Sequence, residues 1–77
     1  MKNKTIFSIT LMPDHPDYLT PWMVGDNCDE IRFRIISGAV WYQPICDGVP
    51  QGVYYADQIE KVYYFDKTVE KISGGKN

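Results

Sequence analysis

Histidine is almost missing from this chain. His15 is the only one, and cysteine occurs twice, at Cys28 and Cys46. Enzymes of the hydrolase and transferase kinds need a nucleophile or base held by a supporting group. His15 lies in Pro13-Asp14-His15-Pro16-Asp17, a turn sequence, and nothing in its spacing ties it to either cysteine. The two cysteines match no zinc signature, so a metal site would need carboxylates or ligands from a second chain. Asp26-Asn27-Cys28-Asp29-Glu30 lacks the glycine and the closing glutamate of a calcium loop. No glycine-rich loop is present that could cradle a phosphate. The expectation is a protein without catalytic activity and without a cofactor, with two free thiols, at least one of them buried.

Long hydrophobic runs are also absent. Thr5 to Met12 follows a basic opening, but Ser8 and Thr10 interrupt it and Pro13-Asp14 ends it. It is too short for a membrane span and has no small-residue cleavage site. A cytoplasmic protein with no membrane partner is expected. Basic residues are scarce in the body of the chain. Between Thr5 and Asp66 stand three, Arg32, Arg34 and Lys61, against nine acidic ones, although the whole chain carries only −2. A body of that sign repels nucleic-acid backbone and disfavours general DNA or RNA binding. It suits a partner with a basic surface.

Aromatic residues are plentiful. They make up 14% of the 77 residues and form the doublets Trp41-Tyr42, Tyr54-Tyr55 and Tyr63-Tyr64. Neighbours in a strand point to opposite faces. Each doublet therefore places a ring on both sides of a sheet, and one small core can bury only one set. A chain of this length buries about 60–65% of its unfolded surface. Covering the second set by self-association is the expected way to gain stability, which predicts a homo-oligomer.

The pattern predicts a mainly β protein, a small five-stranded antiparallel sheet or SH3-like barrel with one short helical turn. Residues 1–66 form its single domain and residues 67–77 a flexible tail. The first strand spans Lys4 to Met12, with Phe7, Ile9 and Leu11 facing one way. A proline-rich connection from Pro13 to Asp29 carries Tyr18, Leu19, Trp22, Met23 and Val24, too much apolar surface for a solvated loop. Glu30 to Ile36 is the second strand, with Ile31, Phe33 and Ile35 inward and Arg32 and Arg34 outward. Ser37-Gly38 turns the chain into a third strand, Ala39 to Ile45. Turn signals fill Cys46 to Gly52. Val53 to Ala56 is the fourth strand, Asp57 to Glu60 a helical turn, and Lys61 to Asp66 the fifth strand. The order of elements over residues 5–66 is similar to that of SH3-like barrels, a likeness of topology alone.

Arg32, Arg34 and Trp41 are the candidate binding residues, with Tyr18 and Trp22 as a rim. An arginine–aromatic platform can stabilise its own sheet, accept a nucleotide-like ligand or form a protein interface. The opening strand Phe7-Ser8-Ile9-Thr10-Leu11 and the run Tyr55-Ala56-Asp57-Gln58-Ile59-Glu60-Lys61-Val62 resemble small proteins of bacteriophages and other mobile elements of Gram-positive bacteria. Such proteins include inhibitors of host defence systems. The resemblance implies a counter-defence inhibitor in the bacterial host cytosol that occludes a host protein. The alternatives are an oligomer that sequesters a nucleotide-like molecule and a structural subunit of a virion.

Overall fold

The computed structural model describes residues 5–72, and these form eight β-strands and one short 3-10 turn. In chain order the strands are β1 (Ile6–Leu11), β2 (Trp22–Met23), β3 (Glu30–Ile36), β4 (Ala39–Cys46), β5 (Val49–Pro50), β6 (Tyr54–Tyr55), β7 (Ile59–Tyr64) and β8 (Val69–Lys71). The protein is mainly β, with one helical turn at Ala56–Gln58 that starts a residue earlier than expected, while Ile59 and Glu60, expected in the turn, already belong to β7. The strands divide between two antiparallel sheets. One has the order β2-β1-β7-β8; the other runs β3-β4-β5, with β6 also paired to β4.

Two-residue turns build the second sheet. Ser37-Gly38 and Asp47-Gly48 have positive φ at both positions, 53° and 81°, then 54° and 78°. That geometry matches the twist of the strands it joins and is why glycine follows in each case. Pro44 sits in the middle of β4, where a proline costs a ladder hydrogen bond. The partner of β4 changes at that point. β5 pairs as far as Ile45↔Pro50, and β6 begins at Tyr42↔Tyr54. The missing N–H falls in the gap between the two, where the Pro44 carbonyl still accepts from the Gln51 N–H at 2.7 Å.

Ile9, Leu11, Ile59 and Val62 are fully buried in the first sheet, and Ile31, Tyr42 and Tyr54 pack on them from the second. Two doublets divide as alternation requires: Tyr42 and Tyr54 turn inward, while Trp41 and Tyr55 turn outward. In the third, neither Tyr63 nor Tyr64 is buried, and Val62 takes the core position.

Four expectations need correction. Ile6 rather than Phe7 joins Ile9 and Leu11 in the core, because a register shift between Ile6 and Ser8 makes Phe7 the extra residue of a bulge. Phe33 and Ile35 share the inner face with Ile31 but stay 53% and 63% exposed, and first-sheet residues Ile6, Tyr64 and Glu70 meet Phe33 only across a cavity of about 280 Å³. The proline-rich connection contains a strand: Trp22–Met23 pairs with β1, and Asn27 accepts the Met23 N–H and donates to the Pro21 carbonyl. Finally, the chain does not leave the fold at Lys67. β8 extends the first sheet to Lys71, and the remainder of the expected tail, 73–77, lies outside the described residues. The turn into β8 holds Lys67 at φ 74°, a position that normally advertises itself by glycine, and Asp66 steadies it by accepting the Thr68 N–H at 2.9 Å.

The Tyr64 hydroxyl donates to Glu70 Oε1 at 2.8 Å, tying β7 to β8. Burial, and then this hydrogen bond, push the Tyr64 phenol well above the ordinary tyrosine range. Burial and the Glu70 charge also raise Tyr42.

Two predictions follow from this packing. Ile9→Ala should cost about 2–5 kcal/mol in urea denaturation, whereas Ile35→Ala should cost less than about 1 kcal/mol; equal losses would show that the hairpin tip is covered. The raised phenols make the second prediction one of alkaline lability. Their stabilisation is fully present below the unfolded tyrosine value of about 10 and is lost as pH rises through the higher folded values. Phenolate absorbance from Tyr42 and Tyr64 should therefore appear only above pH ~10, alongside loss of fold. Glu70→Gln should bring the Tyr64 ionisation back down.

Candidate arginine–aromatic face

Alternation along β3 sends Arg32 and Arg34 to the face of the second sheet that turns away from the core. β3 and β4 pair with Arg32 opposite Gln43 and Arg34 opposite Trp41. The next strand continues the row, because Trp41 pairs with Tyr55 and their ring centroids are 5.3 Å apart with planes tilted by 55°. Arg34, Trp41 and Tyr55 thus occupy one row across three strands. Tyr55 is 49% exposed, and both arginines are exposed. Arg32 Nε donates to Glu30 Oε2 at 3.0 Å, a pairing two residues along the same strand. The Trp41 indole N–H is screened from solvent and meets no acceptor among the described residues, a state that costs about 1–3 kcal/mol when it persists.

The five residues singled out in the sequence do not all meet. Arg34 and Trp41 are direct cross-strand neighbours, and Arg32 stands one pleat further along. Tyr18 is exposed in the connection before β2, where its N–H donates to the His15 carbonyl at 3.0 Å. Trp22 is half-buried on the inner side. It packs against the core cluster, and its indole N–H donates to the Tyr54 hydroxyl at 2.9 Å. Since Tyr54 is an inner-face residue, Trp22 ties the first sheet to the second instead of rimming the arginine face. Tyr55 was missed, although its doublet implied that one of Tyr54 and Tyr55 turns outward. What the doublet could not give was the register that sets Tyr55 beside Trp41.

Elsewhere the titratable groups are dispersed. His15 Nδ1 accepts the Asp17 N–H at 2.9 Å, and its ring lies 5.6 Å from that of Tyr54. Both cysteines are free, Cys28 buried and Cys46 partly so. Burial raises both thiols above their ordinary value, and Asp29 raises both further, which keeps them as thiols at neutral pH. No group of three or more metal-ligating side chains occurs among the described residues. No helix among them is long and apolar enough to cross a membrane.

A groove of about 380 Å³ opens between the sheets beside β3, lined by Thr5, Ile6, Val24, Ile31, Phe33 and Phe65 among others. Phe65 is 53% exposed and meets Phe7 edge-on, with ring centroids 5.0 Å apart. Inward-pointing residues of β3 were expected to be core, so no sequence signal separated this open seam from a closed one.

No family model, curated protein or solved structure matches the chain.

The placement of Trp22 is testable by substitution. Trp22→Phe removes the donor to Tyr54 and should destabilise the fold by about 1 kcal/mol or more. Tyr18→Ala should stay within about 0.5 kcal/mol. Thermal denaturation of the two variants checks the difference, and the reverse order would place Trp22 at the surface.

Proposed function

We propose that this is a non-enzymatic binding protein that captures a protein partner on the outer face carrying Arg32, Arg34, Trp41 and Tyr55. One observation carries the reading: the cross-strand row in which Arg34 stands opposite Trp41 and Trp41 opposite Tyr55. Trp, Tyr and Arg supply most of the energy at protein interfaces when gathered in one place. Rings fixed on strands lose little freedom on binding, which favours a sheet face over a loop as the contact surface. Between Thr5 and Asp66 this face also holds two of the three basic residues in an otherwise acidic stretch. The resemblance to phage and mobile-element proteins supplies the biological setting: an inhibitor in the bacterial cytosol that occludes a host defence protein.

The same row supports a second reading, capture of a nucleotide-like molecule. A guanidinium beside two rings can meet a phosphate while a base stacks. The two readings differ in what stays bound to the purified protein. Native mass spectrometry of protein isolated from its host distinguishes a retained small molecule from a retained polypeptide.

Trp41→Ala and Tyr55→Ala test the face itself. Each should weaken binding of the recovered partner by about 2 kcal/mol or more, read by calorimetric titration, with the circular dichroism spectrum unchanged. Unchanged affinity in both folded variants would remove this face from the function.

A further inference from the structure

β8 carries its charge on the side where a core residue is expected. It pairs with β7 so that Val69 lies opposite Tyr63 and Glu70 opposite Val62. Residues directly opposite in an antiparallel pair share a face. Val62 is fully buried, so Glu70 takes the inner face of the first sheet, while the apolar Val69 turns outward and is 53% exposed. A strand with one face on a core places these two residue types the other way round.

The inner position brings Glu70 to a cavity of about 280 Å³ between the sheets, whose other walls are Ile6, Phe33, Tyr42 and Tyr64. Strand register assembles this set. Phe33 is opposite Tyr42 on the second sheet, and Ile6 is opposite Tyr64 on the first. The Phe33 and Tyr42 rings meet at 65° with centroids 5.5 Å apart, so they form a corner and not a stack. The Tyr64 hydroxyl donates to Glu70 Oε1 at 2.8 Å and holds the carboxylate beside the third ring. Oε2 has no partner among the described residues, and the one ion pair among them is Arg32–Glu30, so no cationic side chain neutralises Glu70. Both phenols stay protonated at neutral pH, which leaves Glu70 as the single charge of the lining.

We propose that this cavity binds a small molecule carrying a trimethylammonium group, such as choline, with Phe33, Tyr42 and Tyr64 around the cation and Glu70 as its counter-ion. Aromatic rings attract cations through their electron-rich faces, and three rings with one carboxylate make a cage of that kind. A bare ammonium or metal ion is tightly hydrated and needs several oxygen ligands, which walls of rings and one isoleucine with a single carboxylate do not supply. A trimethylammonium group spreads its charge over methyl groups, has no N–H to satisfy, and gains by leaving water for apolar walls. The volume lies just below the roughly 300–1,000 Å³ of small-molecule sites, which suits a head group better than an extended ligand. Phe33 and Glu70 are both exposed, so the cavity opens to solvent and a cation can enter. The site is separate from partner capture, because Arg34, Trp41 and Tyr55 lie on the outer face of the second sheet.

Choline titration followed by NMR tests the proposal, with the neutral isostere of choline, in which carbon replaces nitrogen, as the control. The choline methyl signal should shift upfield and transfer magnetisation to the ring protons of Phe33, Tyr42 and Tyr64. The neutral isostere should bind at least about tenfold more weakly. Phe33→Ala and Glu70→Gln should each weaken choline binding by about tenfold, with the circular dichroism spectrum unchanged. Ile35→Ala, one pleat further along β3 and outside the lining, should bind choline as the wild type does. Absence of transfer to the three rings at any choline concentration that leaves the protein folded would overturn the proposal, and this reading needs no variant. Transfer to the Trp41 and Tyr55 rings instead would overturn it as well, by moving the cation to the outer row. Equal binding of the neutral isostere would reduce the site to an apolar cavity. An undiminished affinity in Glu70→Gln would leave Glu70 only the role of keeping the β8 edge from pairing with other strands.

Discussion

The β3–β4 hairpin is longer than the sheet that packs on it, and most of the remaining features follow from that mismatch. β3 and β4 hold seven and eight residues, against six each in β1 and β7. The base of the hairpin lies over Ile9, Leu11, Ile59 and Val62 and contributes Ile31 and Tyr42 to the core. Among the described residues the tip is poorly covered: Phe33 faces Ile6, Tyr64 and Glu70 across a cavity of about 280 Å³. Phe33 and Ile35 point to the correct side for burial and remain half in water, losing most of the roughly 1.5–3 kcal/mol that full burial of such a side chain provides. A chain of this size has too little material to cover both ends of a long hairpin.

The two ends of the molecule are built differently as a result. At one end Trp22 reaches from the β2 edge of the first sheet to the Tyr54 hydroxyl of the second, and Ser8, also buried, donates to the Trp22 carbonyl at 2.8 Å. Polar groups there are satisfied while apolar surface is covered, a combination that makes burial favourable. At the other end the sheets part along β3, leaving the groove beside Ile6, Val24 and Phe65. Pro44 helps to set this asymmetry. It prevents one long strand from pairing along the whole far side of β4, and β5 and β6 divide that side between them. The outer face gains the Trp41–Tyr55 contact by this division, since β6 enters the sheet next to Trp41.

Much of the fold was legible in local pattern. Alternation marked β1, β3 and β4; Ser37-Gly38 marked the hairpin; the doublets at Trp41-Tyr42 and Tyr54-Tyr55 divided between faces as their spacing required. The losses have specific causes. β8 was hidden because Lys67 occupies a left-handed position without glycine to signal it. β2 was hidden among prolines that restrict the connection but still permit two residues to pair with β1. The bulge at Phe7 shifted the inward residue by one, and bulges leave little trace in hydrophobic alternation. The larger limit concerns coverage. Period-2 alternation says which face a side chain takes and is silent about whether anything lies across from it. Phe33, Ile35 and Trp22 were misplaced for that reason, while Arg34 and Trp41 met as the alternation and the hairpin register together required.

Backbone amide exchange along β3 tests the uneven coverage most directly. In dilute solution, where chains are separate, the amides of Arg32 and Arg34 bond to β4 and should exchange slowly. Those of Phe33 and Ile35, opposite Tyr42 and Val40 in the alternate pairs of the ladder, face away from β4 and should exchange much faster, so that protection alternates along the outer half of the hairpin, while Ile31 is shielded by its burial. Uniform protection from Arg32 to Ile36 would contradict the account, because it would mean that the open edge of the hairpin tip is closed within a single chain.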